Sequence, residues 1–554
     1  MKRCCLYLVC SWILIGAACS NSDEVVVSED NNENVDKQQS GNVIVEESLD
    51  EPVEEDTEDQ SEEPMEVLFE AIDIESYRHE NIHFEVNGEK ELEQRSPEDI
   101  IFPEVYTEVE GVLTFRGGPL RDSPSYGTIS ATEMELEEQW DFTTSANPDW
   151  GGGAGWTGQP AIVKWDNEIK QQMNIKEKFK EKDNFVEVIQ GSLDGHVYFI
   201  DLETGEQTRN PIAIKNPIKG SLSIDSRGYP LLYLGDGIPQ HEKFGFYIFS
   251  LIDSKLLHYI PGRDEFAYRD WGAFDGSALI NRHSDSLVVG GENGVFYNVA
   301  LNTDFDKEQG TIAIDPEISN MRYKIEGNDY QGIENSVAIF KNIAYFADNG
   351  GSIVSIDLEN NHPVWGLPSL DDTDASIVVD VVDDTPHLYT ASEVDIQGRN
   401  GNAYLRKIHG LTGEVIWEKS YPAFYNPDVN GGVLATPVLG KGNMGDLIVF
   451  TIARHRSTNE GIMVALDRQT GEEKWRWHME QYAWSSAVAV YDKAGNGFLV
   501  QADSTGNVHI IDGDTGKVLT AKNFGYNIEA SPAIYNDSII FASRGGLIHH
   551  VKIK

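Results

Sequence analysis

Cysteine is scarce in this chain. The 554 residues include four cysteines, and all of them lie within the first 19 positions, at Cys4, Cys5, Cys10 and Cys19. A chain processed after residue 18 would keep only Cys19, which excludes an internal disulfide. The folded part must therefore be stabilised by its apolar core, even in a compartment that permits disulfides.

Basic residues are also few. Lysine and arginine total 43 against 92 aspartates and glutamates, so the formal net charge is −49. This balance argues against nucleic acid as a partner and against direct contact with anionic lipid headgroups. Residues 23–66 hold 18 of the acidic residues and a single lysine, Lys37. Such a segment cannot bury enough apolar surface to fold, so residues 19–66 are predicted to be a disordered acidic linker. An acidic arm that binds a basic partner or cations is the alternative.

Long apolar runs are missing beyond the N-terminus. Met1-Lys2-Arg3 is followed by the apolar stretch Cys4–Ile15 and then by Gly16-Ala17-Ala18-Cys19. This order predicts a signal peptide over residues 1–18, and its apolar part is too short to favour a membrane-spanning helix. The small residues before Cys19 resemble a bacterial lipobox, although Gly16 stands where leucine is usual. The resemblance implies an extracytoplasmic protein that contacts the cell membrane only through lipid on Cys19. An ordinary cleaved signal is the alternative.

One unit recurs about seven times after residue 150. It contains an apolar strand, a glycine-punctuated strand and often an Asp-x-x-Thr-Gly turn followed by tryptophan, as in Ala465–Trp475. A repeat of about 40–55 residues built from strands predicts a β-propeller. Residues 111–554 are predicted to form it, and a further unit that starts at Ala530 makes eight blades. Seven is the alternative, because the second and third units are degenerate. Residues 67–110 are predicted to be a small accessory segment of unassigned fold.

The last unit ends one strand short. The segment Leu136–Phe142 has the pattern of an outer strand, with Trp140 at the position of Trp475, and is predicted to complete the last blade. Closing the ring in this way removes exposed sheet edges. In the turns, Asp467 should bond the backbone, Gly471 should supply a positive φ, and Trp475 should pack against the next blade. These residues are therefore structural.

The turns and their tryptophans resemble the repeat of the pyrroloquinoline-quinone-like β-propeller superfamily. The tryptophans are Trp140, Trp365, Trp417 and Trp475, and the run Phe115-Arg116-Gly117-Gly118-Pro119 resembles the segment that often precedes the first blade of such proteins. The superfamily contains quinone-dependent dehydrogenases and also bacterial lipoproteins that act as scaffolds without a quinone. Beyond the predicted signal peptide, the chain lacks the adjacent cysteine pair of many such enzymes, and it offers no match to their calcium site of Glu, Asn and Asp. The resemblance therefore implies a non-catalytic member without a cofactor, with quinone and calcium as the alternative.

Residues just before each innermost strand of a propeller line the mouth of its central channel. The predicted mouth residues are Trp156, Asp270, Trp271, Glu334, Asp374, Trp484 and Glu529, together with Lys219 and Asn430. Carboxylates and tryptophan faces around one funnel favour a cationic or sugar-like ligand. The alternative is that the tryptophans only pack and the acids are only solvated.

These observations predict a membrane-anchored, monomeric scaffold in the cell envelope. Its propeller should bind a protein or another ligand, and the sequence indicates neither catalytic residues nor a metal-ligand set. The alternatives are a quinone-dependent dehydrogenase and a binder of cell-envelope carbohydrate. The identity of the ligand stays open at this point.

Overall fold

A computed structural model describes residues 70–79, 81–88, 100–155, 157–425 and 430–554. The predicted signal peptide, Cys19 and the acidic linker lie outside these residues, as does Trp156. Within the described residues, no helix is both long enough and apolar enough to cross a bilayer.

The N-terminal part contributes four strands that join sheets formed later in the chain. They are β1 (His83–Asn87), β2 (Gly111–Val112), β3 (Ser125–Tyr126) and β4 (Leu136–Thr143). Strand β4 is the outermost strand of its sheet, whereas β2 and β3 lie at the inner edges of their sheets.

Blades 1 to 4 follow in chain order. Blade 1 contains β5 (Ala161–Lys164), β6 (Val186–Gly191), β7 (His196–Asp201) and β8 (Ile212–Ala213), with helices α1 (Asn167–Gln172) and α2 (Glu177–Lys180) between β5 and β6. Blade 2 contains β9 (Ser223–Ile224), β10 (Leu231–Gly235), β11 (Gly245–Ser250) and β12 (Leu256–Pro261). Blade 3 contains β13 (Leu279–Asn281), β14 (Ser286–Gly290), β15 (Val295–Ala300) and β18 (Glu317–Lys324), with the hairpin β16 (Asp304–Asp306) and β17 (Thr311–Ala313) inserted. Blade 4 contains β19 (Ala338–Phe340), β20 (Ile343–Ala347), β21 (Ile353–Asp357) and β22 (His362–Leu367).

Blades 5 to 8 complete the ring. Blade 5 contains β23 (Val378–Val382), β24 (Thr385–Ala391), β26 (Asn402–His409) and β27 (Val415–Pro422), and a separate pair joins β25 (Glu393–Val394) to β28 (Gly431–Gly432). Blade 6 contains β29 (Val438–Leu439), β30 (Leu447–Ile452), β31 (Gly461–Asp467) and β32 (Glu473–Met479). Blade 7 contains β33 (Val488–Tyr491), β34 (Gly497–Ala502), β35 (Asn507–Asp512) and β36 (Val518–Asn523). Blade 8 contains β37 (Ala533–Tyr535), β38 (Ser538–Ser543) and β39 (Leu547–Ile553), and β4 is its outermost strand.

The predicted eight blades and their closure by an N-terminal strand are confirmed. Strand β4 pairs antiparallel with β39 along its whole length, from Thr143 opposite Leu547 to Leu136 opposite Ile553. The seven-bladed alternative is wrong, because the two degenerate units each form a full sheet. Their loops are long and lack the tryptophan, which is why the repeat is weak in the sequence.

The turn tryptophans dock one blade on the next, as predicted. The Trp475 indole N–H donates to the Gly513 carbonyl at 3.1 Å, and Trp365 reaches the Gly410 carbonyl at 2.8 Å. A Cβ atom on Gly516 would lie 2.4 Å from the Trp475 ring, and this glycine has φ of +71°. Glycine is therefore needed both for the turn conformation and for the close approach of the indole.

The apolar core is divided between the blades. In the described part of the chain, eight clusters of buried apolar side chains lie one at each interface between neighbouring blades. Two adjoining sheets bury their facing side chains in each cluster, so every blade depends on both neighbours. This arrangement leaves the centre of the ring to polar groups.

A belt of hydroxyl groups ties the innermost strands together around the channel. The backbone N–H of Ser336 donates to the Ser376 hydroxyl at 2.9 Å, Ser376 donates to Thr436 at 3.1 Å, and Thr436 donates to Ser486 at 3.0 Å. Equivalent bonds link Gln159 to Ser221, Ser277 to Ser336 and Ser486 to Ser531. The hydroxyl belt therefore consists of one position per blade, at residues 159, 221, 277, 336, 376, 436, 486 and 531.

Residues 111–126, here called the plug segment, close one end of the channel. Arg116 and Arg121 are 1% and 0% exposed and lie beyond the hydroxyl belt. Arg116 donates to the carbonyls of Pro437 and Ala487 at 2.7 and 2.8 Å. Arg121 donates to the Val337 carbonyl at 2.9 Å and to Phe115 at 2.8 Å. The two guanidinium groups thus link blades on opposite sides of the ring by hydrogen bonds to backbone carbonyls.

The segment N-terminal to the plug lies along the outside of blades 3 and 4. Strand β1 pairs with β18, and the N–H of Ile72 donates to the Asn342 side chain in the hairpin between β19 and β20. Tyr106 is buried and contacts the plug at Gly118, and its hydroxyl accepts a hydrogen bond from the N–H of Ile280. The chain therefore enters the described fold at the plugged end.

Candidate functional site

The open end of the channel is the candidate site. Two residues before each belt position, the side chains form a ring around the mouth: Thr157, Lys219, Asp275, Glu334, Asp374, Leu434, Trp484 and Glu529. Loops between the second and third strands of the blades add a second tier, which includes Glu292, Asn349 and Glu393. The mouth is thus built by sixteen loops that converge only because the ring is closed.

Charge is concentrated at this mouth. Its carboxyl groups include those of Asp275, Glu292, Glu334, Asp372, Asp374, Glu393 and Glu529, and its basic side chains include those of Lys219, Arg269, Arg454 and Arg544. The excess of carboxyl groups makes the mouth attractive to cations.

A first carboxyl triad contains its own counter-ion. One oxygen each of Asp275, Glu292 and Glu334 lies within 4.8 Å of the others. The Lys219 ammonium contacts Asp275 and lies 3.3 Å from Glu334. The Asn349 amide donates to Glu334 at 2.9 Å, and the Trp271 indole donates to Glu292 at 2.6 Å. Burial is the largest single influence on the pKa of Glu334 and acts to raise it, but Lys219, Asn349 and Arg269 together outweigh burial and lower that pKa.

A second carboxyl triad lies next to the first. One oxygen each of Asp372, Asp374 and Glu393 lies within 4.8 Å of the others. Burial raises the pKa of Asp374 to about 8, and the Glu334 charge adds to that effect. Burial and the charge of Asp374 raise the pKa of both Asp372 and Glu393 well above the ordinary range. Among the described residues, the Lys219 charge acts to lower the pKa of Asp374, but the Lys219 ammonium is paired with Asp275 in the first triad.

Local backbone structure holds the second triad together. The N–H of Glu393 donates to the Asp372 carbonyl at 2.8 Å, and the Asn430 amide donates to the Glu393 carboxyl at 3.0 Å. Strand β28 packs against β25, and a Cβ atom on Gly432, which has φ of +91°, would lie 2.8 Å from the Glu393 Cα atom. Gly432 therefore allows the approach that places Glu393 and Asn430 side by side.

The structure brings most of the predicted mouth residues to one place. Glu334, Asp374, Trp484 and Glu529 lie in the ring around the mouth, and Glu529 lies 3.7 Å from Arg544. Trp271 faces the mouth through its bond to Glu292. Their role in binding stays a prediction.

Two predicted residues lie apart from this ring. The Asp270 side chain is 93% exposed and sits 3.8 Å from Arg263, while Asp275, five residues later, occupies the ring position of its blade. Asn430 orients Glu393, and Leu434 occupies the ring position of blade 6. The shift arises because both entry loops are longer than those of the clear repeats.

Exposed apolar side chains surround the mouth. Tyr268, Tyr330, Ile396, Phe424 and Tyr526 are 37–59% exposed, and all lie on loops at the open end. We call these five residues the mouth rim. Apolar and aromatic residues around a polar centre are typical of protein-binding surfaces.

The buried carboxyl groups predict that stability falls as pH rises. Glu292, Asp372, Asp374 and Glu393 have raised pKa values in the folded state, mainly because of burial. Between about pH 4, where the unfolded chain releases these protons, and pH 8, near the pKa of Asp374, the folded state binds more protons. Rising pH therefore favours unfolding. Urea midpoints measured from pH 5 to 8 in chelating buffer should decrease.

The matched variant Glu393→Gln isolates the contribution of the second triad. It removes one titrating group, so the decrease of the free energy of unfolding with pH should become shallower by the equivalent of up to one proton. Arg399→Ala on an exposed turn serves as the control and should keep the wild-type slope. An identical slope in wild type and Glu393→Gln would contradict the assignment.

The fold is an eight-bladed β-propeller, and its turns and docked tryptophans are similar to the pyrroloquinoline-quinone-like repeat. Residues 458–553 match the family model described as outer membrane protein assembly factor BamB. The outer membrane protein assembly factor BamB of Kangiella koreensis is 22% identical over 237 residues, or 43% of this chain. The alignment covers 50% of that protein, so the chain spans about half the length of the curated relative it matches.

Solved structures agree on the fold. The quinohemoprotein alcohol dehydrogenase of Comamonas testosteroni has a TM-score of 0.54 at 11% identity, with 84% of this chain and 83% of that chain covered. The quinohemoprotein alcohol dehydrogenase of Pseudomonas putida HK5 has a TM-score of 0.53 at 12% identity, with 80% of each chain covered. At these identities the likeness shows the fold alone.

Proposed function

We propose that this protein is a lipid-anchored scaffold of the cell envelope that docks a protein partner on the open mouth of its propeller. The anchor is the lipid predicted on Cys19, and the acidic linker is the tether. The observation that carries the proposal is the mouth itself. An acidic centre surrounded by the mouth rim fits a partner that inserts basic side chains at the centre and packs apolar side chains around them.

The similarity to BamB supports a role in an envelope assembly complex. The matching family and relative carry the description of an outer membrane protein assembly factor. The similarity is distant and covers part of each chain, so it supports the class of function and leaves the partner to experiment.

The proposal includes no quinone. Pyrroloquinoline quinone is itself a tricarboxylate, and the mouth has more carboxyl groups than basic side chains. Like charges in a buried site repel, so the residues present do not fit this anion. We therefore derive no chemical step through a quinone.

Site-specific crosslinking tests the docking surface. A photo-crosslinking residue in place of Tyr330 or Tyr526, in the full chain in its own host membrane, should trap one protein of defined mass, because both side chains are more than half exposed on the mouth rim. The same residue in place of Val382 or Ile416, which are 39% and 42% exposed at the plugged end, is the matched control. Adducts confined to the plugged-end positions would refute the proposed surface.

A further inference from the structure

The second carboxyl triad carries an inference that goes beyond partner docking. Asp372 and Asp374 lie on the loop that enters blade 5, and Glu393 lies on the loop between its second and third strands. Asp374 is 7% exposed and Glu393 is 0% exposed. Three carboxyl groups are thus packed around one point at the inner end of a single blade.

The triad leaves acceptor atoms without donors. One buried oxygen each of Asp372, Asp374 and Glu393 makes no hydrogen bond. Buried polar atoms in folded proteins are nearly always satisfied, and each exception calls for a ligand or another physical reason. Three carboxyl groups that lie this close together, each with an unpaired buried oxygen, indicate a positively charged ligand.

The neighbouring triad shows how this fold neutralises the same set of groups. There, Lys219 supplies a cation to Asp275 and Glu334 from within the chain. In the second triad, the Lys219 charge acts on Asp374 from a distance, while the ammonium itself is paired with Asp275 and Glu334 of the first triad. Like-charged carboxyl groups at this separation cannot all ionise without a counter-ion.

We propose that Asp372, Asp374 and Glu393 form a binding site for a divalent cation of the oxygen-preferring class, such as Ca²⁺ or Mg²⁺. Carboxylate oxygens are the ligands that these ions prefer. The Asn430 amide, which donates to Glu393, holds one ligand in position and thereby acts outside the ligand set. Water fills the remaining coordination positions.

Burial argues for a small ion over a side chain from another protein. Glu393 is fully buried and Asp374 is nearly so. A dehydrated ion of this class needs oxygens at about 2.0–2.6 Å, a separation that fits carboxyl oxygens lying within 4.8 Å of one another. The site is independent of the proposed partner, because the folded chain alone supplies its ligands.

Thermal unfolding with Ca²⁺ as the probe tests the proposal on the full chain. After removal of metal with a chelator, Ca²⁺ at pH 8 should raise the melting temperature of the wild-type protein, because an ion that binds only the folded state stabilises it by mass action. Asp372→Asn combined with Glu393→Gln should remove that shift and weaken calorimetric binding by at least tenfold. Weak binding to the acidic residues 23–66 should be equal in both proteins.

The matched control is Glu292→Gln in the first triad. It makes the same chemical change beside Lys219 and should leave the Ca²⁺ shift intact, since the Trp271 indole can still donate to the amide oxygen. Circular dichroism verifies that each variant is folded. Equal Ca²⁺ shifts in the wild type and the double variant would overturn the proposal. A triad-dependent shift with propylammonium and none with Ca²⁺ would also overturn it, in favour of a partner's basic side chain.

Discussion

Arg121→Ala is expected to lower the free energy of unfolding by about 3–5 kcal/mol, the largest effect of any single change considered. The Arg121 guanidinium is fully buried and donates to the carbonyls of Val337, Phe115 and Ser277 and to the hydroxyls of Thr114 and Ser277. Removal of the side chain leaves these buried acceptors unpaired and opens a cavity in the plug. Burial lowers the pKa of Arg121 to about 9, so the group is still charged at neutral pH. Urea unfolding at pH 7 measures the loss.

Two further variants separate the causes of this loss. Arg121→Lys keeps the charge but cannot reproduce the planar guanidinium group with its several donors. Its free energy of unfolding should therefore lie between those of the wild type and Arg121→Ala. Arg399→Ala, on an exposed turn, should change the free energy of unfolding by no more than about 0.5 kcal/mol. A loss of similar size in both alanine variants would show that the plug contributes nothing particular to stability.

Trp140→Ala is expected to lower the free energy of unfolding by about 3 kcal/mol and to weaken the closure of the ring. The Trp140 indole donates to the Leu202 carbonyl at 2.9 Å, and its ring contacts Gly205, so one residue docks the closing strand on blade 1. Hydrogen exchange should therefore accelerate along β4 and at the edge of β39, which lose their support against blade 1. Trp140→Phe keeps the apolar packing but lacks the indole N–H, so its loss of stability should be smaller than that of Trp140→Ala.

Trp365→Ala is the matched comparison for closure. It removes the equivalent indole between blades 4 and 5, where the Trp365 N–H donates to Gly410. A similar loss of stability is expected, with faster exchange near those blades and unchanged exchange in β4. Identical exchange patterns in the two variants would mean that closure has no distinct role.

The architecture was predictable because its determinants are local. The turn Asp467 accepts N–H groups from Gln469 and Thr470 at 3.0 and 2.9 Å, as the sequence predicts. The closing strand was recognisable because Trp140 repeats the position of Trp475. These signals depend on a few residues at fixed spacing, so they survive in a single sequence.

The candidate site was less predictable, because its parts come from loops that the repeat does not mark. Glu334, Asp374 and Glu529 could be placed by counting back from the innermost strands. Glu292 and Glu393 lie between second and third strands, where length and composition differ from blade to blade. Only the closed ring brings them to the carboxyl groups of the entry loops.

The sequence does not predict the plug, for a related reason. The run that contains Arg116 indicates only a resemblance to a family, and Arg121 carries no signal of its own. Their hydrogen bonds reach Ala487, 371 residues away from Arg116 in the sequence, and Val337, 216 residues away from Arg121. A contact at such a separation leaves no periodic pattern, although two arginines beside glycines and a proline mark an unusual segment.

The plug segment also turns a channel into a socket. With Arg116 and Arg121 filling one end, a ligand can enter the ring from the mouth alone and cannot thread through it. Ligands that reach the hydroxyl belt must then exclude one another, so competition between them is expected to be complete. We therefore expect at most one ligand for each chain at this depth.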